Sequence, residues 1–553
     1  MNKFSKLLLI VALMCSASVV CSVYAINYYV GFSSNPSGVK YSGDVAGLKS
    51  ALLAAGANDV VYIAKGTYYL DSQLIVKTHI IGGCNPAGDG SQEPIAIGAA
   101  GNLTSNMTVL DGNSLRHPLR SEKHRVATVN TGGIIENCLI RNGHARGTTN
   151  DTNDLNGHGG GVLLNGGKLY NCIIRGNVAM NVQYQSTNKS SGGGVYITNN
   201  GGEVVNCVIA FNMDDRGVGI DGKSGESINN TIAYNAMAPK WINIPGGNFQ
   251  PYDGWSTTTQ LTNRYITLSS FYMAETECTG GQFACFMAAI DLAGSSEPYS
   301  LTQADKNAMV VAKALVPTSY AGYPTGITVE QYALLSFNSA GSSSTVGTSM
   351  WNITSSHANN ADNLRCGGCL SSDGSVNNRV WFPLSDKSAS GTATSGTEAR
   401  RRDNYPISLV SWYGSLAYSL WLGGCLPTEA QWEYAARRST SGMNNTVYAG
   451  SDVIDDVAWY DQNSDLNGGN NSSTCRAHEV AKKDANGIGL FDMSGNLYEW
   501  ILDPRGDYVA GGTTAITAGK NLVSGGNGNT GTTSGSRLQN PVALPTATGS
   551  YRV

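Results

Sequence analysis

Short apolar runs broken by glycine and asparagine dominate the first 240 residues, and they recur. Asn137-Cys138, Asn171-Cys172, Asn206-Cys207 and Asn230-Thr231 follow one another at spacings of 34, 35 and 24 residues, and each leads into an apolar pair such as Leu139-Ile140 or Ile173-Ile174. A glycine cluster stands upstream of the later units: Gly159-Gly160-Gly161-Val162, Gly192-Gly193-Gly194-Val195 and Gly217-Val218-Gly219-Ile220. Short strands, glycine turns and a period near one solenoid coil predict a parallel β-helix. Val60 to Ile63, Gly66 to Tyr68, Leu74 to Val76 and His79 to Gly83 read as its entry coils, with Leu48 to Ala55 as a capping helix. Equivalent side chains of such a stack lie about 4.8 Å apart. Asn137, Asn171 and Asn206 are therefore expected to form an amide ladder. Cys138, Cys172 and Cys207 are expected to form a buried sulfur column, because parallel in-register Cβ atoms suit disulfide geometry poorly.

The pattern changes in kind between Ala236 and Trp241, where the repeats stop and tryptophan becomes frequent. Beyond it, Tyr265 to Phe271 reads as a β-rich run, and Trp412, Leu416 and Leu420 place one apolar stripe on a helix. Thr428 through Gln431 forms a capping box at the start of another helix. At the other end, Lys3 and Lys6 precede an apolar run from Leu7 to Met14, and Val23-Tyr24-Ala25 offers a cleavage site before Ile26. The expected organisation is a signal peptide over 1–25, a β-helix domain over 26–238, and an α+β domain over 239–553 with an insertion at about 298–400. The leader is too short to remain as a membrane span, and no later segment is long and apolar enough. The expected destination is the cell surface, the outer envelope or the medium.

Charge narrows the partners. Without the leader, 34 basic residues face 40 acidic ones, which argues against nucleic acid. Only 14% of residues are charged, against about 25% in ordinary domains, so solubility rests on amides and hydroxyls.

The first half resembles the pectate-lyase-like right-handed parallel β-helices. In the second, Trp241-Ile242-Asn243-Ile244-Pro245-Gly246-Gly247-Asn248-Phe249, Glu275-Thr276-Glu277-Cys278-Thr279, Pro406 to Trp412, Leu426 to Arg437 and Gly489-Leu490-Phe491-Asp492-Met493-Ser494-Gly495-Asn496-Leu497-Tyr498-Glu499-Trp500 come in succession. Together they resemble the formylglycine-generating enzyme (sulfatase-modifying factor) family, whose fold is related to C-type lectin-like domains. The resemblance implies an α+β domain of low regular secondary structure. It also implies an oxidase that converts a sulfatase cysteine to formylglycine with copper held by two thiolates near the end of the domain. The matching stretch, Ser524 to Arg537, contains no cysteine, and none follows Cys475. Copper is therefore not expected, since Cu(I) requires soft sulfur ligands. The resemblance further implies a structural Ca²⁺ held by carboxylates of Asp492 and Glu499 and carbonyls of Gly495 and Leu497, an oxygen-only set that suits this cation. Hydrogen bonding within the turn is the alternative use of those carboxylates. Cys278, Cys285, Cys366, Cys369, Cys425 and Cys475 are expected to form disulfides in an exported protein, with Cys366 and Cys369 as an alternative metal or redox pair.

With catalysis discounted, recognition comes forward. Asn527, Asn529, Thr530, Thr532, Thr533, Ser534, Ser536 and Arg537 form an adaptable hydrogen-bonding stretch suited to a glycan or protein ligand. On the β-helix, the best cluster for a polysaccharide lyase or hydrolase is Asp214, Asp215 and Arg216 with Asp221 and His158. The leading expectation is a surface binding or adhesion protein. A copper-dependent oxidase and a polysaccharide-cleaving enzyme are the alternatives.

Overall fold

The computed structural model describes residues 25–289, 404–502 and 536–539, apart from the internal stretches 34–37, 88–106, 115–122, 148–154, 183–188, 252–263, 408–411 and 465–476 and a few isolated positions. The first half is a β-helix-like stack of four parallel sheets, of eight, six, five and four strands. One coil runs through strands Val162–Asn165, Lys168–Tyr170, Ile173–Arg175 and Val178–Met180, then returns at Val195–Ile197. Each strand pairs in parallel with its counterpart in the next coil: Leu139 with Ile173, Ile173 with Val208, Val162 with Val195. Alternation turns Val61, Ile63, Ile80, Ile135, Leu169 and Val204 inward to one continuous core. The entry is closed by helix α1, Val45–Ala54, whose first turn is capped by Asp44 accepting from the Gly47 amide at 2.7 Å.

The sulfur column is present. Cys138, Cys172 and Cys207 are buried thiols in register, each donating to a nearby carbonyl, and burial pushes the Cys138 and Cys172 thiols up. The asparagine ladder differs from expectation. Asn137, Asn171 and Asn206 occupy left-handed corners, with φ of 62°, 52° and 54°, a conformation asparagine tolerates better than other side chains. At these corners the Asn137 amide donates to the Gly82 carbonyl, while the Asn229 side chain donates to Asn206 Oδ1 at 2.6 Å. A longer ladder is built one strand further on, by Asn177, Asn212 and Asn235, whose amides link at 3.0 and 3.1 Å. The last coil also shifts: Val208 pairs with Thr231, so Asn229 continues the corner and Asn230 falls in the cysteine position. The 24-residue spacing is thus a 23-residue repeat in which an asparagine replaces the thiol.

The second half opens with two small sheets. Trp241–Ile244 pairs antiparallel with Phe271–Ala274; Gly247–Phe249, Arg264–Leu268 and Ser536–Gln539 form the other. Its longer helices among the described residues are α2 (Gly280–Ala289), α3 (Trp412–Leu422) and α4 (Glu429–Ala436), the last carrying the capping box of Thr428 and Gln431. Ile244, Phe249, Ile266, Leu268, Tyr434, Leu490 and Met493 form its core. The stripe expected on α3 is described at Leu420, which is buried; the side chains of Trp412 and Leu416 lie outside the described residues.

Helices α2 and α3 lie along the stack. The Trp421 indole, fully buried, donates to Asn142 Oδ1 at 3.1 Å, and Ser114 Oγ donates to the Trp421 carbonyl at 3.2 Å. Ala289 backbone approaches Gly176 so closely that a Cβ there would sit 2.3 Å from it. Cys285 Sγ donates to the Asn212 carbonyl, and Gln282 Nε2 to that of Met237. Positions 282, 285 and 289 of one helix thus meet three successive coils. The match follows from dimensions: seven residues rise about 10.5 Å, and two coil steps about 9.6 Å. Among the described residues, no helix is long and apolar enough to cross a membrane.

Candidate functional site

The motif 489–500 forms a turn in which Asp492, Gly495 and Asn496 have φ of 56°, 88° and 56°. Gly495 is required there, since a Cβ would fall 2.3 Å from the Trp459 carbonyl oxygen. Asn496 accepts from the His478 amide at 2.9 Å and donates to Glu277 Oε2 at 2.7 Å, while the Leu497 amide donates to Glu277 Oε1 at 3.0 Å. Asp492 Oδ2 accepts from the Ala481 amide at 2.8 Å, and Glu499 Oε2 from the Trp432 indole of α4 at 3.2 Å. Motifs far apart in the chain converge here, and most of their side chains serve as scaffold. Tyr434, for example, donates to the Pro245 carbonyl at 2.9 Å.

Three carboxylates share this environment. Burial pushes Glu277 well up, with the charges of Glu499 and Asp492 adding to the shift. Burial likewise raises Glu499 to about 7, reinforced by Asp492 and opposed by the Trp432 hydrogen bond. Asp492 is raised by burial against the Ala481 bond. Asp492 Oδ1 and Glu499 Oε1 accept no hydrogen bond among the described residues. Hard oxygen donors with surplus negative charge fit a divalent cation of the Ca²⁺ type. Among the described residues, however, no three His, Cys, Asp or Glu side chains converge closely enough to enclose a metal by themselves. A cation here would need carbonyl ligands, the role assigned to Gly495 and Leu497. Glu277 was missed from the sequence. Its signal was its place in the motif Glu275 to Thr279, and its partners lie 219 and 220 residues away.

The other expected sites are placed as follows. Asn527, Asn529, Thr530, Thr532, Thr533 and Ser534 lie outside the described residues, as do residues 1–24 of the leader expected over 1–25. Ser536 and Arg537 stand in the strand that pairs parallel with Arg264 and Tyr265. Asp214 is fully buried, accepting amides of Gly193, Arg216 and Val218, and burial raises it to about 6. Asp215 is also buried and ties the Asn181 and Ser190 amides together. Only Arg216 of that trio is exposed. Cys366, Cys369 and Cys475 lie outside the described residues, and Cys278 is an unbridged thiol that burial pushes up to about 12.

Compact α+β scaffolding around a carboxylate turn, docked on a β-stack, defines the class of the second half. The sulfatase-modifying factor enzyme 1-like domain matches residues 229–544, and the chain belongs to that family. It is similar to the formylglycine-generating enzyme of Streptomyces coelicolor, 35% identical over 108 residues, 18% of this chain and 33% of that one. The mouse formylglycine-generating enzyme is 30% identical over 131 residues, 22% of this chain and 34% of the other. A serine/threonine-protein kinase, pkn1 of Chlamydia caviae, is 37% identical over 99 residues, covering 18% of this chain and 14% of the kinase. These similarities span about a third of either enzyme and a seventh of the kinase.

Proposed function

We propose that this is an exported surface binding protein in which a non-catalytic sulfatase-modifying-factor domain is mounted on a right-handed, pectate-lyase-like stack. The reading rests on the donor set: the stretch Ser524 to Arg537 holds only glycine, serine, threonine, asparagine and one arginine, and no cysteine follows Cys475. Copper held by a thiolate pair does not fit that stretch. The same hydroxyls and amides, in a C-type lectin-like setting, suit recognition of a glycan or protein at the cell exterior. The leader supplies the route out of the cell. Calcium at Asp492, Gly495, Leu497 and Glu499 is proposed as a structural ion of this module, supported by the surplus of raised carboxylates.

The test is incubation of the full mature chain with a Cys-x-Pro-x-Arg peptide, copper and reductant, followed by mass spectrometry. The peptide is expected to keep its thiol mass. Conversion to the aldehyde would establish the oxidase in place of the binding module.

A further inference from the structure

Three successive coils of the stack carry a second constellation, separate from the carboxylate turn. Tyr196 lies in the strand Val195–Ile197, between two buried residues, and therefore faces outward. Its partner in the next coil is Asp221. Asp221 Oδ2 accepts from Arg216 Nη1 at 2.9 Å, and the two side chains are 27% and 51% exposed. Arg216 Nε and Nη2 and the Tyr196 hydroxyl have no partner among the described residues. Against the Tyr196 ring stacks the His158 imidazole, with centroids 4.3 Å apart and planes at 28°.

His158 is only 6% exposed, and its Nδ1 lies 3.1 Å from the Ser191 hydroxyl. Its Nδ1 accepts from the Ser191 amide at 3.1 Å, so in the neutral ring the proton sits on Nε2. That N–H has no acceptor among the described residues. The loop that carries His158 is held from below by Arg125, whose Nη2 donates to the carbonyls of Leu155, Asn156 and His158. Burial, followed by the charges of Arg216 and Arg125, pushes His158 down to about 4 and keeps it neutral. Arg216 and Asp221 cancel each other's charge, so the constellation carries none. It presents N–H donors, a carboxylate acceptor, an amphipathic hydroxyl and a half-buried aromatic ring.

We propose that Tyr196, His158, Arg216 and Asp221 form a binding site for a neutral saccharide with vicinal hydroxyls. Sugar hydroxyls both donate and accept, which suits the Asp221–Arg216 pair and the His158 N–H; the C–H face of a pyranose suits the tyrosine ring. Zero net charge disfavours an anion. The held loop and the strand register set the four groups before a ligand arrives, so little ordering is needed on binding. The site lies on the stack and is independent of the recognition reading of the second half.

The full mature chain should be screened by calorimetry against cello-, xylo-, manno- and galacto-oligosaccharides, with oligogalacturonate in parallel. At least one neutral oligosaccharide is expected to bind, with Asp221→Asn and Tyr196→Ala each weakening binding by about tenfold or more at an unchanged unfolding midpoint. Should Tyr196→Ala fail to fold, the exposed Arg216→Gln and Asp221→Asn variants decide the question. The proposal is overturned if no neutral oligosaccharide binds at millimolar concentration, if binding survives these substitutions, or if oligogalacturonate is preferred.

Discussion

Asn496 shows how much one side chain does in this fold. It takes the His478 amide on its oxygen and gives its nitrogen to Glu277, which in turn receives the Leu497 amide. The sequence motif made Asp492, Gly495, Leu497 and Glu499 conspicuous because they stand together. Glu277 stayed hidden because nothing local ties it to a turn more than two hundred residues later. The three carboxylates, all raised, also set a pH dependence. A raised carboxyl holds protons that the unfolded chain releases, so its contribution to stability is complete below the ordinary carboxylate range. That contribution is lost as pH rises through the folded value, about 7 for Glu499. With chelator present, the unfolding midpoint is expected to drop between about pH 5 and about pH 7.5, and added Ca²⁺ should reverse the drop. Glu499→Gln should flatten the dependence. A midpoint at pH 7.5 that ignores both chelator and Ca²⁺ would remove the ion from the account.

Among the elements, the coils were readable because each repeats the same problem: an apolar pair must point inward after a tight corner. Asn137, Asn171 and Asn206 mark those corners through their tolerance of positive φ. The final coil was misaligned by one position because Asn229 and Asn230 are both asparagine, and only strand pairing says which one turns the corner. The longer amide ladder is not legible from the repeat because Asn177, Asn212 and Asn235 follow no cysteine. Asn212 is its central member: its Oδ1 accepts both the Asn177 amide N–H and the Asn177 side chain, and its Nδ2 donates to the Ile174 and Ala210 carbonyls. Asn212→Leu would leave these buried groups unpaired, and a loss of about 3 kcal/mol is expected in urea unfolding. A loss under about 1 kcal/mol would mean that the ladder is incidental to the stack.

For the molecule as a whole, the sequence indicated two unlike halves and gave no hint that they are joined by more than a connection. Trp421 and Cys285 look like ordinary core residues until the stack is seen to supply their partners. The two halves should therefore unfold together. Trp421→Ala is expected to cost about 3–5 kcal/mol and to split a single calorimetric transition into two. If wild type already melts in two steps, the docking is weaker than its burial implies.

Helices α2 and α3 touch the coils at Ser114, Asn142, Gly176, Asn212 and Met237 in turn. They act as a gauge block laid against a screw thread. Solenoids ordinarily lengthen by duplicating a turn, but a coil added or deleted between Ser114 and Met237 would throw every later contact out of step with the helix. Growth by duplication is open only on the entry side of Ser114, and that is where related chains should differ in length.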